Sequence, residues 1–135
     1  MQIGEKMEEI KRYNKEGVWI EKVNLIRATM NEAQEMKDNL FEDALVFKKM
    51  IVDLSDCDYI DSSFFGALVF AYKHIKAKEG TIKLVISDSF MKRTFIFKDI
   101  ERVFDVYETI NEAMDAYKIA AELNQAGYKW EGKLN

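Results

Sequence analysis

Two short apolar runs constrain this chain most: "KMIVDL" at residues 49–54 and "TIKLVIS" at 81–87, each apolar at consecutive rather than alternating positions. A strand with one wet face alternates; a strand that does not is covered on both faces. Helices on both faces of a largely parallel sheet give a layered α/β fold, with the crossovers supplied by the segments between the runs.

Those segments carry the helical period. Over residues 31–46 the apolar positions Ala33, Met36, Leu40, Phe41, Ala44 and Leu45 keep a 3–4 spacing. Thr29 and Glu32 precede them at capping-box spacing. A second helix is expected over 63–78, with the basic tail "KHIKAK" suited to a helix C-terminus and Gly80 ending it. A short helix is expected at 89–97, capped by Ser87 or Ser89, and "RVFDVY" reads as a third short strand. Thr109 and Glu112 repeat the capping-box spacing before a last helix, apolar at Ala113, Met114, Tyr117, Ala120 and Ala121 and closed by Gly127. Near the start, 10–13 and 18–23 flank "NKEG" and predict an antiparallel hairpin at one side of the sheet.

A chain of 135 residues, 48% hydrophobic and 33% charged, is the mixture of one globular domain with a buried core. We place that core at about 8–127 and a short tail at 128–135. With a net charge of −4 and Lys and Arg spread along the chain, no basic face is available for nucleic acid. The single Cys57 has no disulfide partner within the chain, which fits a reducing compartment. No apolar signal region opens the chain and no run approaches eighteen apolar residues, so a cytoplasmic protein without membrane insertion is expected.

Catalytic signatures are weak. The acids Asp53, Asp56, Asp58 and Asp61 lack the Gly and terminal Glu of a calcium loop in register. A strand followed by Asp-x-Asp is shared with haloacid dehalogenase phosphatases, but Tyr59 and Ile60 follow Asp58 here and little chain remains for the other acids. His74, the one histidine, sits among lysines as a surface residue would, and Cys57 has no CxxC partner. No Gly-rich phosphate loop occurs among the six glycines, and no cofactor is implied.

The remaining feature is "DSSFFGALVF", residues 61–70. Asp61 or Ser62 suits an N-cap, whose side-chain oxygen accepts an N–H two or three residues on. From Phe64 to Tyr72 there is no charged or strongly polar side chain, so the first turns are apolar all round. Either the domain covers both sides of that helix or one side is left for a partner.

In this order the residues resemble a STAS domain of the anti-sigma factor antagonist type. The likeness centres on "IVDLSDCDYIDSSFFGALV", which is similar to the family's strand, acidic loop and Asp-Ser-Ser helix start; Gly66, Ala67 and Leu68 match its small and apolar positions. A second block, "KLVISDSFMKRTFIFKDIERVFDVYETINEAMDA", resembles the closing strand, short helix, strand and last helix, with 99–104 at the turn into the last strand.

The resemblance implies a regulatory binding module rather than an enzyme. An anti-sigma factor that is also a serine/threonine kinase binds the unphosphorylated domain and releases it on phosphorylation, and a serine phosphatase resets the cycle. Carried over, the acceptor is Ser62, with Ser63 the secondary candidate. The expected partner surface is Asp61, Ser62, Ser63, Phe64, Phe65, Asp58, Ser87 and Ser89, on a monomer or weak dimer. Where the family commonly has Gly-Leu-Gly, this chain has Phe64-Phe65-Gly66, which puts a large ring where a partner's backbone would approach. The alternative role is a soluble STAS subunit docking a membrane transporter ATPase, with Ser62 only a cap.

Overall fold

In chain order the elements are β1 (Ile10–Lys15), β2 (Val18–Val23), β3 (Arg27–Ala28), α1 (Met30–Asp43), β4 (Lys49–Asp53), β5 (Tyr59–Ile60), α2 (Ser62–Ala77), β6 (Thr81–Val85), a 3-10 turn (Met91–Arg93), α3 (Phe95–Val103), β7 (Val106–Tyr107) and α4 (Ile110–Gln125). This computed structural model describes residues 8–127. The expected tail at 128–135 lies outside the described residues.

Five strands form one sheet in the order β1-β2-β4-β6-β7, parallel except for the β1–β2 hairpin. The hairpin turns through Glu16 and Gly17, both at positive φ (52° and 86°), the backbone that matches strand twist in a two-residue turn. Asn14 Oδ1 accepts the Gly17 N–H at 3.0 Å and steadies that turn.

The two apolar runs are the central strands β4 and β6, and their consecutive burial has the expected cause. Met50, Val52, Leu54, Ile82, Leu84 and Ile86 face α1, α2 and α3, joining Met36, Leu40, Phe64, Leu68, Tyr72, Ile100 and Phe104. Ile51 and Val85 face the other way, with Val18 and Ile20, against Ala113 and Tyr117 of α4. Tyr117 Oη donates to the Met50 carbonyl at 2.6 Å, pinning α4 to the start of β4.

Each face also holds a buried ionisable group. Lys83, under α4, pairs with Asp105 at 3.4 Å and lies over the rings of Tyr107 and Tyr117. Burial lowers its pKa against the pull of Asp105. Glu21, on the α1 side, is fully buried and neither oxygen has a well-formed hydrogen bond. It stands opposite Arg12 across the hairpin, but that guanidinium bonds Asp43 at 3.2 Å and Glu42 at 3.4 Å. Burial first, and then Asp43, push the Glu21 carboxyl up to about 10, so it is uncharged at neutral pH.

Several expected boundaries are corrected. The first helix ends at Asp43, not 46: Ala44 is its C-cap, the next N–H groups close shorter 3-10-type bonds, and Leu45 swings out to 81% exposure. The expected loop before α2 contains β5, which pairs with β3 in a two-stranded parallel sheet. The helix expected at 89–97 is a 3-10 turn whose Met91 N–H is accepted by Asp88, not by Ser87 or Ser89; the longer α3 comes after it. Arg102 and Val103 belong to α3, and the third strand shrinks to Val106–Tyr107.

At the end of α2 the left-handed residue is Glu79 (φ 67°), not Gly80. Gly80 is needed for space, since a Cβ there would stand 2.6 Å from Ile75 Cγ2. The expected close of α4 at Gly127 agrees with its positive φ of 95°.

Candidate functional site

The site is built around Asp61. As the N-cap of α2, its Oδ1 accepts the Phe64 N–H at 2.8 Å. Its Oδ2 accepts the Met30 N–H, at the first residue of α1, at 2.9 Å. One carboxylate thus holds two helix starts together, and the Asp61 N–H donates to the Ala28 carbonyl to extend the β3–β5 pair into the same corner. At α1, Thr29 and Glu32 complete the expected capping box.

This clamp fixes the direction in which α2 sets out. Ser62 and Ser63 occupy its first turn with their side chains exposed, and no hydrogen bond ties either hydroxyl to another described residue. The expectation that Phe64 faces a partner is corrected: its ring is wholly buried among the α1–α3 core residues. With the sheet beneath the helix, the third residue after the cap points inward. Phe65 is half-buried against the same core. Gly66, one turn beyond Ser62, is exposed, and an added Cβ would meet nothing within 4 Å. The Phe64 ring is therefore inside rather than on the surface beside Ser62, and Gly66 leaves the next turn without a side chain.

The acidic loop is less negative than its composition implies. Asp53 is buried; its Oδ1 accepts the Ser55 N–H at 2.9 Å and its Oδ2 lies 3.6 Å from Lys22 Nζ. Asp56 pairs with the same ammonium at 3.1 Å. Asp58 is half-buried, with its N–H given to the Ile26 carbonyl. Ser87 Oγ donates to the Ser55 carbonyl at 3.4 Å, joining the loops after β4 and β6; Ser89 is exposed. The parallel topology brings these loops and the start of α2 to one end of the sheet, beyond the C-terminal ends of β4 and β6.

Ile26 and Met30, whose backbones bond the residues before α2, are exposed, as are Phe90 and Phe95 after β6, the last at 94%; the sequence pattern did not single them out. Phe90 and Phe95 flank the mostly polar "MKRT" outside any helical stripe, which was the available signal. Cys57 is buried, and burial together with Asp56 and Asp53 pushes its thiol up to about 12, leaving it no nucleophile. Among the described residues no three His, Cys, Asp or Glu side chains are placed to hold a metal ion. No described helix is long and apolar enough to cross a membrane.

Known proteins share this fold. A protein of Thermotoga maritima provisionally named an anti-sigma factor antagonist is 30% identical over 92 residues, 58% of this chain and 81% of that one. The Bacillus cell fate determinant SpoIIAA, solved in its phosphorylated form, superposes with a TM-score of 0.60 at 14% identity over 80% of this chain and 98% of its own. A sulfate transporter family protein from Wolinella succinogenes does so with a TM-score of 0.60 at 19% identity, over 80% and 90%. The family profile described as STAS domain matches residues 8–113, from the first hairpin into α4. The chain belongs to the STAS domain family.

Proposed function

We propose that this protein is an anti-sigma factor antagonist that works by partner switching, with Ser62 as the phosphorylated residue. Unmodified, it binds an anti-sigma factor that is also a serine/threonine kinase; phosphate on Ser62 releases it, and a phosphatase restores it. The chain is then a kinase substrate and a binding module, acting in the cytoplasm. The observation that carries this reading is the exposed Ser62 hydroxyl at the first position of α2, beside the fixed Asp61 clamp and the bare Gly66.

A phosphate there adds about −1.5 to −2 charges at a helix N-terminus, where the dipole contributes roughly 0.3–1 kcal/mol in its favour. The domain therefore stays folded. Across an interface the sign reverses: opposite a partner acid ~6 Å away at an effective dielectric of ~40, the repulsion is about 3 kcal/mol, on the order of a hundredfold in affinity. Release then needs charge alone, without a change of shape. Ser63, also exposed, is the secondary acceptor. Exposed Met30 and Ile26, bonded to the residues before α2, and Phe90 and Phe95 after β6 add apolar contact area.

The second reading rests on the shared fold of the Wolinella sulfate transporter family protein. In it α2 docks a transporter ATPase and Ser62 is only a helix-start residue. Kinase, ATP and anti-sigma factor from the host separate the two. The switch reading requires wild type to be released on adding ATP while Ser62→Ala stays bound. Equal behaviour of the two proteins favours the docking subunit.

A further inference from the structure

Arg27 on β3 is paired in register with Tyr59 on β5, and Tyr59 is three residues from Ser62. The Arg27 guanidinium carbon lies over the Tyr59 ring, 4.2 Å from its centre. The side chain is exposed, and among the described residues no hydrogen bond or ion pair takes any of the five N–H groups of its guanidinium. Arg12 and Arg102, by contrast, pair with acids of their own chain.

The nearby acids are engaged elsewhere. Asp61 accepts helix N–H groups on both oxygens, from Phe64 and from Met30. Asp58, whose N–H bonds the Ile26 carbonyl at 2.8 Å, does not pair with the guanidinium either. A ring restrains an arginine without using its donors, so a planar anion can be met by two parallel N–H···O bonds with little further loss of side-chain freedom. Ile26 and Met30, 67% and 69% exposed, lie on either side of Arg27 in the chain and would keep water from such a pair once covered.

Position ties this cation to the serine. Three residues of extended chain span at most about 11 Å and neighbouring strands lie about 5 Å apart, which puts the Arg27 backbone within about 12 Å of Ser62. A partner that covers about 800 Å² centred on Ser62 reaches about 16 Å in every direction. An interface of ordinary size that hides Ser62 therefore takes in Arg27.

Resting on the switch reading of Ser62, we propose that Arg27 is the residue that selects the partner: on its Tyr59 platform it receives a carboxylate of the anti-sigma factor kinase as a bidentate pair. A negative group is the complement of this site, because the guanidinium has no anion of its own. The pair also supplies the acid that a phosphate on Ser62 would face. One partner carboxylate then serves both steps, attracted by Arg27 before modification and repelled by the phosphate after it.

The test titrates the full chain with each purified anti-sigma factor kinase of the host, first without ATP and then with it. Arg27→Gln should bind at least about tenfold more weakly than wild type. Arg27→Lys should recover only a small part of that loss, since an ammonium is a point charge without the planar fork. Wild-type affinity should fall as salt is raised, and that of Arg27→Gln should fall much less. Thermal unfolding should be unchanged in both variants, because the side chain is exposed. If ATP releases wild type while Arg27→Gln binds as tightly, or Arg27→Lys binds as well as arginine, the role of Arg27 is overturned and the Ser62 switch stands. If no kinase binds wild type, or ATP does not release it, the Ser62 reading falls and the role of Arg27 falls with it.

Discussion

The two faces of the sheet carry different duties. The α4 face is small and closes on itself: Tyr117 bonds the Met50 backbone, and the buried Lys83 finds Asp105 and two rings. The other face carries three helices and the whole candidate site, yet its buried carboxyl, Glu21, has no well-formed hydrogen bond and remains uncharged. Burial lowers the pKa of Lys83 while Asp105 raises it, whereas at Glu21 burial and Asp43 both push the carboxyl up. The site takes its position from the three-helix face and needs the α4 face only for a stable sheet.

Substitutions separate those duties. The largest loss is expected from Phe64→Ala, about 3–5 kcal/mol in denaturant unfolding, because the ring is wholly buried under α2. A loss below about 1 kcal/mol there would mean the ring faces solvent after all. Asp61→Ala removes caps from two helix starts and should cost about 2 kcal/mol. Unlike any change under α4, it should also disturb amide signals at Met30 and Phe64 together.

On the α4 face, Tyr117→Phe leaves backbone carbonyls short of a donor, for about 1–2 kcal/mol, and should leave phosphorylation of Ser62 unchanged. Slower phosphorylation in that variant would break the division between the faces.

Glu21 gives the comparison a pH axis. Its folded pKa is raised, so its contribution is fully favourable below the ordinary carboxyl range and is lost as pH rises toward about 10. Glu21→Gln should therefore flatten the fall in stability between about pH 5 and pH 9, leaving the variant the more stable protein at the alkaline end. The charges that face it are Arg12, Asp43 and Glu42, and none of them removes the sign. Parallel pH curves for wild type and variant would place its carboxyl back in the ordinary range. The smallest effect is expected from Ser62→Asp, which should change stability by less than about 1 kcal/mol; thermal unfolding is enough to check it.

Much of this was legible because period and cap chemistry are local. Consecutive apolar residues in 49–54 and 81–87 reported two-sided burial, and Thr29 and Glu32 reported a helix start. What depends on distant neighbours was not legible. Asp61 is readable as a cap of α2, but its second bond, to the start of α1 thirty-one residues away, needs the fold. Phe64 opens a run that is apolar all round, which leaves open which side of α2 is inside, and only the sheet beneath decides it. The acids of the loop read as a negative corner, whereas Lys22, from another strand, stands between Asp53 and Asp56.

The central claim is that Ser62 is a phosphate switch, and peptide-level mass measurement of the protein taken from its own host, growing and stressed, tests it most directly. The account predicts a one-phosphate species mapped to Ser62 whose share changes between the two conditions. A well-covered peptide carrying Ser62 and Ser63 that is unmodified in both would contradict it, and would move the function of this face to docking without phosphorylation.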